Sequence, residues 1–363
     1  MSFGISRLCA VAAVLTAGLL VAPCLASDRL GTAGPIRSFG GKACNVDFAA
    51  IRRGECDPPP VTSTLPPERR SQERVERARQ LISVLRVEQA ILELDAAIAD
   101  DPSNSSALLL RGRLKIPGQL DEAIRDVERT LRIDPEDSNA LATRAFILRS
   151  QDDQGGLRDA TKALALRPQN VDALWIRAMI LARIGSLNEA EADLSTAVAL
   201  EPDNPRTLLF RAQIRMRIGK ASEARNDATA VLALRRDTDA LQIRAIVQAM
   251  FGDYASALDD LNAILGKPED QPPIIPAGRD FLDLYVQRAL ALARTGKPAE
   301  AKRDLDAIVR FGGVRAVLQM QLYLRGHGFP DVRLDGARSD QLDDALQACF
   351  INDACGRGIA IPG

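Results

Sequence analysis

Histidine occurs once in these 363 residues, as His327 between two glycines, and tryptophan once, as Trp175. This scarcity closes off several kinds of chemistry. A Ser–His or Cys–His relay would have to rest on one imidazole in a glycine-flanked turn. A zinc site would need more ligands than the chain offers. The G-x-S-x-G elbow and the H-E-x-x-H pair do not occur, and Lys42, Lys220 and Lys297 follow glycines that lack the rest of a phosphate loop. The carboxylates between Pro330 and Asp340 do not alternate as calcium ligands do. Aromatic residues are 4% of the chain, and the formal net charge of −1 leaves no bulk positive surface for nucleic acid. No catalytic residue, cofactor or metal is expected, and the chain reads as a non-enzyme.

What is present is helix-forming: alanine, leucine and arginine are abundant, in a chain that is 46% hydrophobic and 26% charged. The one long apolar run is at the start. Arg7 precedes an apolar stretch from Leu8 to Ala22, and small residues around Ala26 complete the pattern of a cleavable signal peptide over 1–26. The run is short for a bilayer span, and Pro23 spoils a lipoprotein box at Cys24. The expectation is export, with the periplasm as the destination and no transmembrane segment after cleavage. Cys44, Cys56, Cys349 and Cys355 would then face an oxidising compartment. Four cysteines allow three connectivities; the two local bridges, Cys44–Cys56 and Cys349–Cys355, are favoured, with a zinc site as the alternative.

The middle of the chain is periodic. Pro102, Pro135, Pro168 and Pro202 recur at a near-constant interval, each closing an amphipathic helix pair. Gly185, Gly219, Gly252 and Gly296 stand at turns between paired helices, where a left-handed residue ends the first helix. Small residues recur in the first helices at Ala78, Gly112, Ala145, Ala178, Ala212, Ala245 and Ala289, and in the second at Ala90, Ala123, Ala190, Ala224, Ala257 and Ala301. Gly156 takes that place in the third pair, after an irregular turn. This pattern resembles the tetratricopeptide repeat family over residues 71–313, in units near 71–104, 105–137, 138–170, 171–204, 205–237, 238–270 and 282–313. The resemblance implies an all-α fold: a right-handed α-solenoid of about seven helix pairs, closed by a helical C-terminal tail.

A charge pattern runs through all seven units. Arg77, Arg111, Arg144, Arg177, Arg211, Arg244 and Arg288 each stand immediately before the small residue of the first helix. Each is followed at a nearly fixed interval by an acid on the second helix: Glu93, Asp126, Asp159, Asp193, Asp227, Asp260 and Asp304. The spacing predicts a ladder of structural ion pairs joining helix to helix. The alternative is that these arginines hold an anionic ligand.

The family's first helices line a concave groove that takes partners. The resemblance places Phe146, Arg149, Trp175, Met179, Arg183, Gln213, Arg217, Gln242, Ile246, Met250, Leu290 and Arg294 on that face. Together they form an apolar strip edged by arginines, suited to a protein or peptide partner with apolar anchors and some acidic character. Around the array lie residues 27–70, ending in a proline-rich linker without room for a helix, and a loop insertion at 266–280. The tail, 314–363, reads as a cap over the last apolar face. It is also similar to a small peptidoglycan-binding module through Gln321, Leu324, Gly328, Phe329, Asp335, Gly336, Ala345, Leu346 and Phe350. Ser339 and Leu342 depart from that module's pattern. Two functions follow: a scaffold in the cell envelope that binds a partner through its groove, or a cell-wall protein that binds peptidoglycan through its tail.

Overall fold

The computed structural model describes residues 61, 64–266 and 281–351. The predicted signal peptide, Cys44, Cys56, Cys355 and residues 267–280 of the predicted loop insertion lie outside the described residues. Two compact units, Met1–Ser186 and Leu187–Gly363, divide the chain, and no strand occurs among the described residues.

The first unit holds α1 (Pro67–Ser83), α2 (Val87–Asp100), α3 (Ser105–Lys115), α4 (Leu120–Ile133), α5 (Ser138–Leu148), α6 (Asp153–Leu166) and α7 (Val171–Arg183). Helices α1 with α2, α3 with α4, and α5 with α6 pack as hairpins, and each hairpin stacks on the next first helix. Short polar residues start the first helices. Asn104, Asp137 and Asn170 are the N-caps of α3, α5 and α7, each accepting a hydrogen bond from a backbone N–H of the opening turn. Helix α1 begins at Pro67, earlier than the linker's composition suggested. Proline is tolerated in the first helical turn because the N–H it lacks would have no intrahelical acceptor.

Small residues set how closely paired helices approach. Ala78, Ala90, Ala123 and Ala145 are fully buried. A methyl group on Gly112 would come within 3.2 Å of the Ala123 carbonyl oxygen and of Val127 Cγ2. Gly156 lies inside α6, and a Cβ there would meet Ala145 O at 3.1 Å and Ile180 Cδ1 at 3.0 Å. The irregular turn is therefore short, Arg149–Asp152, because Asp152 caps α6 by accepting from Gly155 N. A second contact keeps register. Ser71 and Ser138 each donate to a carbonyl of their own repeat's second helix, Ala97 and Ala163. Asn104 and Asn170, the caps of the following repeats, donate to those same hydroxyls at 2.8 Å.

The second unit holds α8 (Leu187–Leu200), α9 (Pro205–Arg217), α10 (Ala221–Leu234), α11 (Thr238–Met250), α12 (Tyr254–Leu265), α13 (Phe281–Arg294), α14 (Pro298–Gly326) and α15 (Asp340–Leu346), then a π-helical turn, Gln347–Ile351. Adjacent helices from α8 to α14 pack in sequence. Gly219, Gly252 and Gly296 here, like Gly185 in the first unit, turn the chain with φ of 79°, 81°, 77° and 91°. In the α1–α2 turn that role falls to Leu85, at φ 62°. Helix α14 breaks at Gly313 (φ 63°). Its second half, with Val317, Met320 and Leu324, joins Val332, Leu342, Leu346 and Cys349 in one core with Leu284, Leu292 and Leu305 of the last helix pair.

Candidate partner-binding faces and the arginine ladder

An arginine beside the small residue of the first helix meets an acid a turn beyond the small residue of the second, across the helix hairpin. Arg111 donates through Nε and Nη2 to Asp126 at 2.7 and 2.6 Å. Arg144 meets Asp159 at 2.6 and 2.8 Å, and Arg211 meets Asp227 at 3.0 and 2.7 Å. Arg244 meets Asp260 at 2.8 and 2.6 Å, and Arg288 meets Asp304 at 2.8 and 2.7 Å. Arg77 Nε is 2.9 Å from Glu93. Arg177 belongs to the first unit and Asp193 to the second, so their pairing stays an expectation.

Five of these contacts are two-point forks, the strong geometry for guanidinium and carboxylate. Hydrogen bonds donated to the acids, stronger in effect than burial, hold Arg111, Arg144 and Arg244 above the usual arginine range. In the forks of Arg111, Arg144, Arg211 and Arg244 the acid sits deeper than the arginine, while Arg288 and Asp304 are both 1% exposed. These guanidinium groups are occupied by their own chain, which makes the ladder a structural element.

On the first unit's share of the predicted groove, α5 and α7 pack against each other. Phe146, Arg149, Trp175 and Met179 are half-buried and Arg183 is exposed. Arg149 stacks on Phe146, its Cζ 3.8 Å from the ring centroid, while Nη1 donates to Phe146 O at 2.6 Å. Arg183 forms an ion pair with Asp153. Arg113 was not among the predicted face residues. It runs from α3 to Thr143 on α5 (3.1 Å) and Asp172 on α7 (2.8 Å), joining three successive first helices. Its only sequence signal is its place just beyond Arg111 and Gly112.

In the second unit, α9 touches α11 and α11 touches α13. Gln213, Arg217 and Met250 are exposed there, while Gln242, Ile246, Leu290 and Arg294 are half-buried. Phe251, also unpredicted, is exposed beside Met250. Arg215 joins Glu191 of α8 (3.0 Å) to Asp227 of α10 (2.8 Å), extending the ladder sideways.

Residues 148–205 match the sequence model of the tetratricopeptide repeat family. Two solved structures share the fold of part of the chain. One is PilF of Pseudomonas aeruginosa, 14% identical with a TM-score of 0.50, over 55% of this chain and 91% of that one. The other is PilW, described as a widely conserved type IV pilus biogenesis factor, 20% identical with a TM-score of 0.50, over 55% of this chain and 95% of that one. No curated protein matches the chain. The helix pairs are tetratricopeptide-type repeats.

The tail ends this repeat array by a polar clamp. Gln321 is 1% exposed and uses its whole amide. Nε2 donates to Asp335 Oδ1 at 2.9 Å and to Ala337 O at 3.1 Å, while Oε1 accepts from the N–H groups of Asp335 and Gly336 at 3.1 and 3.0 Å. The Ala337 N–H and the Gln321 amide hold the Asp335 carboxyl below its usual range. Gly336 is required twice, by its φ of 67° and because a Cβ would lie 2.4 Å from Val314 Cγ1. Leu324, Ala345 and Leu346 are core residues, Phe329 is half-buried against that core, and Gly328 turns the chain with φ 100°. So most residues carrying the likeness to a peptidoglycan-binding module have work inside the tail. His327 stacks on Tyr323 with centroids 3.9 Å apart, its Nδ1 2.7 Å from Tyr323 O. Cys349 is buried in the tail core.

Proposed function

We propose that the chain is an exported, non-enzymatic scaffold of the cell envelope that holds a protein or peptide partner on its first-helix faces. The observation that carries this reading is the contrast between the ladder and the faces. Five ladder arginines are forked by their own acids, whereas Phe146, Trp175 and Met179 stand part-exposed on adjoining first helices. Repeat arrays bury apolar surface between neighbours, so apolar side chains left at a first-helix face are available to a partner. The signal-like residues 1–26 support export, and the same reading pairs Cys349 with Cys355 and Cys44 with Cys56. Among the described residues, no helix is long and apolar enough to cross a membrane.

Two measurements test this. Fractionation of cells expressing the full chain should recover it in the periplasm in a processed form that begins at Ser27; a full-length cytoplasmic product would refute export. Trp175→Ala should weaken partner capture at least about ten-fold if this residue is an anchor, and unchanged capture would remove the first unit's face from consideration. The second reading, a glycan-binding tail, is supported by the likeness over residues 321–350, but Gln321 and Asp335 bond to each other. Pelleting of the intact chain with purified sacculi would favour the wall reading; a soluble chain leaves the tail as a cap.

A further inference from the structure

We propose that Arg149, with Arg183 beside it, seats a carboxylate side chain of an acidic peptide on the first unit's face. This rests on the reading of that face as a partner site. Several other arginines of the unit are held by an acid, which Arg149 lacks among the described residues. Arg111 and Arg144 are forked by acids, Arg113 is held by Asp172, and Arg183 is paired with Asp153. Arg149 has a backbone carbonyl and an aromatic ring.

A guanidinium carries five N–H donors in a fixed fork, and the bond to Phe146 O uses one of them. The position at the end of α5 accounts for a cation, since the helix C-terminus favours positive charge. It does not account for half-burying that cation with no acid against it. Burial, followed by the nearby positive charge of Arg183, pulls Arg149 below the usual arginine range, opposite to the ladder arginines. An incoming carboxylate would relieve both penalties and complete a charge-assisted fork.

The neighbours define the rest of the ligand. Phe146 backs the guanidinium plane, and α7, packed against α5, carries the half-buried Trp175 and Met179. A free anion would make no use of them. An aspartate or glutamate next to an apolar side chain would satisfy the arginine and cover the aromatic surface together.

The test is an array of short peptides probed with the intact mature chain. Each peptide is present as an acid form and as its Asn/Gln form, with apolar residues at varied spacing from the acid. The wild type should hold its best acidic peptides about ten-fold or more tightly than their amides, as expected for losing hydrogen bonds to a charged group. Arg149→Gln should erase that preference, Arg149→Lys should keep part of it, and Trp175→Ala should weaken acid and amide forms alike. Melting curves of each variant show that the fold is kept. Peptide binding without acid preference, or a preference unchanged in Arg149→Gln, overturns the arginine seat and leaves the face reading standing. No binding of any peptide overturns the face reading itself. Equal occupancy by inorganic phosphate at the concentration of the best peptide would show a general anion site and overturn the peptide assignment.

Discussion

Arg288→Met is predicted to be the most damaging single change in the ladder. Arg288 and Asp304 are both 1% exposed, and Arg288 Nη1 also donates to Gly266 O at 2.7 Å. Methionine retains much of the apolar stem, so the loss is mainly one of charge. Burial pushes the Asp304 carboxyl above its ordinary range, and Arg288 is the main force pulling it back. Without the guanidinium, the folded chain holds Asp304 as the neutral acid. Protonating a carboxyl of ordinary pKa near 3.9 at pH 7 costs roughly 4 kcal/mol, at about 1.4 kcal/mol per unit. That agrees with the roughly 3–5 kcal/mol expected when one half of a buried pair is removed. The sign follows from proton linkage. With the folded pKa raised, the folded variant keeps a proton that the unfolded chain releases above about pH 4, so the variant's deficit grows by about 1.4 kcal/mol per unit as pH rises. Urea unfolding monitored by far-ultraviolet circular dichroism at about pH 5, 6 and 7 measures this. Arg288→Met with Asp304→Leu removes the second charge as well and should return to within about 1–2 kcal/mol of the wild type, without the slope. A single variant within about 1 kcal/mol of the wild type at pH 7, or a deficit flat in pH, would refute the reasoning by showing that water reaches the pair.

Leu85→Gly should raise stability by up to about 1.5 kcal/mol, because a left-handed leucine costs roughly 1–2 kcal/mol and glycine's extra entropy roughly 0.5–1; a lower melting temperature would instead assign the 67% exposed side chain a contact. Gly336→Ala should cost about 2 kcal/mol or more through its strained φ and the clash with Val314. Hydrogen exchange should show that loss in the tail core around Leu324 and Leu346, and unaltered protection there would contradict the close approach. Asp335 has a folded pKa below its unfolded value, so its contribution is present above about pH 4 and lost as pH falls through the folded value. Acid-induced loosening of the tail should be smaller in Asp335→Asn, and identical acid profiles would place its cause elsewhere.

The repeats were legible because each marks its position with residues that have few substitutes. A glycine at a left-handed turn, an alanine at a helix crossing and an asparagine or aspartate at a helix start each answer a local constraint, and the constraint returns in most helix pairs. The ladder spacing was legible for the same reason: a fixed hairpin gives Arg111 and Asp126 the same relation as Arg244 and Asp260. What sequence did not reveal were contacts made once, or made by residues with several ordinary uses. Arg113 reaches Asp172 from two repeats away, and no period marks that pair. Ser71 and Ser138 look like ordinary polar helix residues until the next repeat's asparagine reaches their hydroxyls. The tail posed the reverse problem. Gln321, Asp335 and Gly336 carry a ligand-binding likeness, yet an amide that fills four hydrogen bonds while holding a left-handed turn explains all three. A motif shared with a binding module can be kept because it closes a turn, so its presence argues for a ligand only where its polar atoms are left facing outward. By that criterion Asp335 is committed within the tail, while Arg149, half-buried against an aromatic ring with no acid against it, points to a partner.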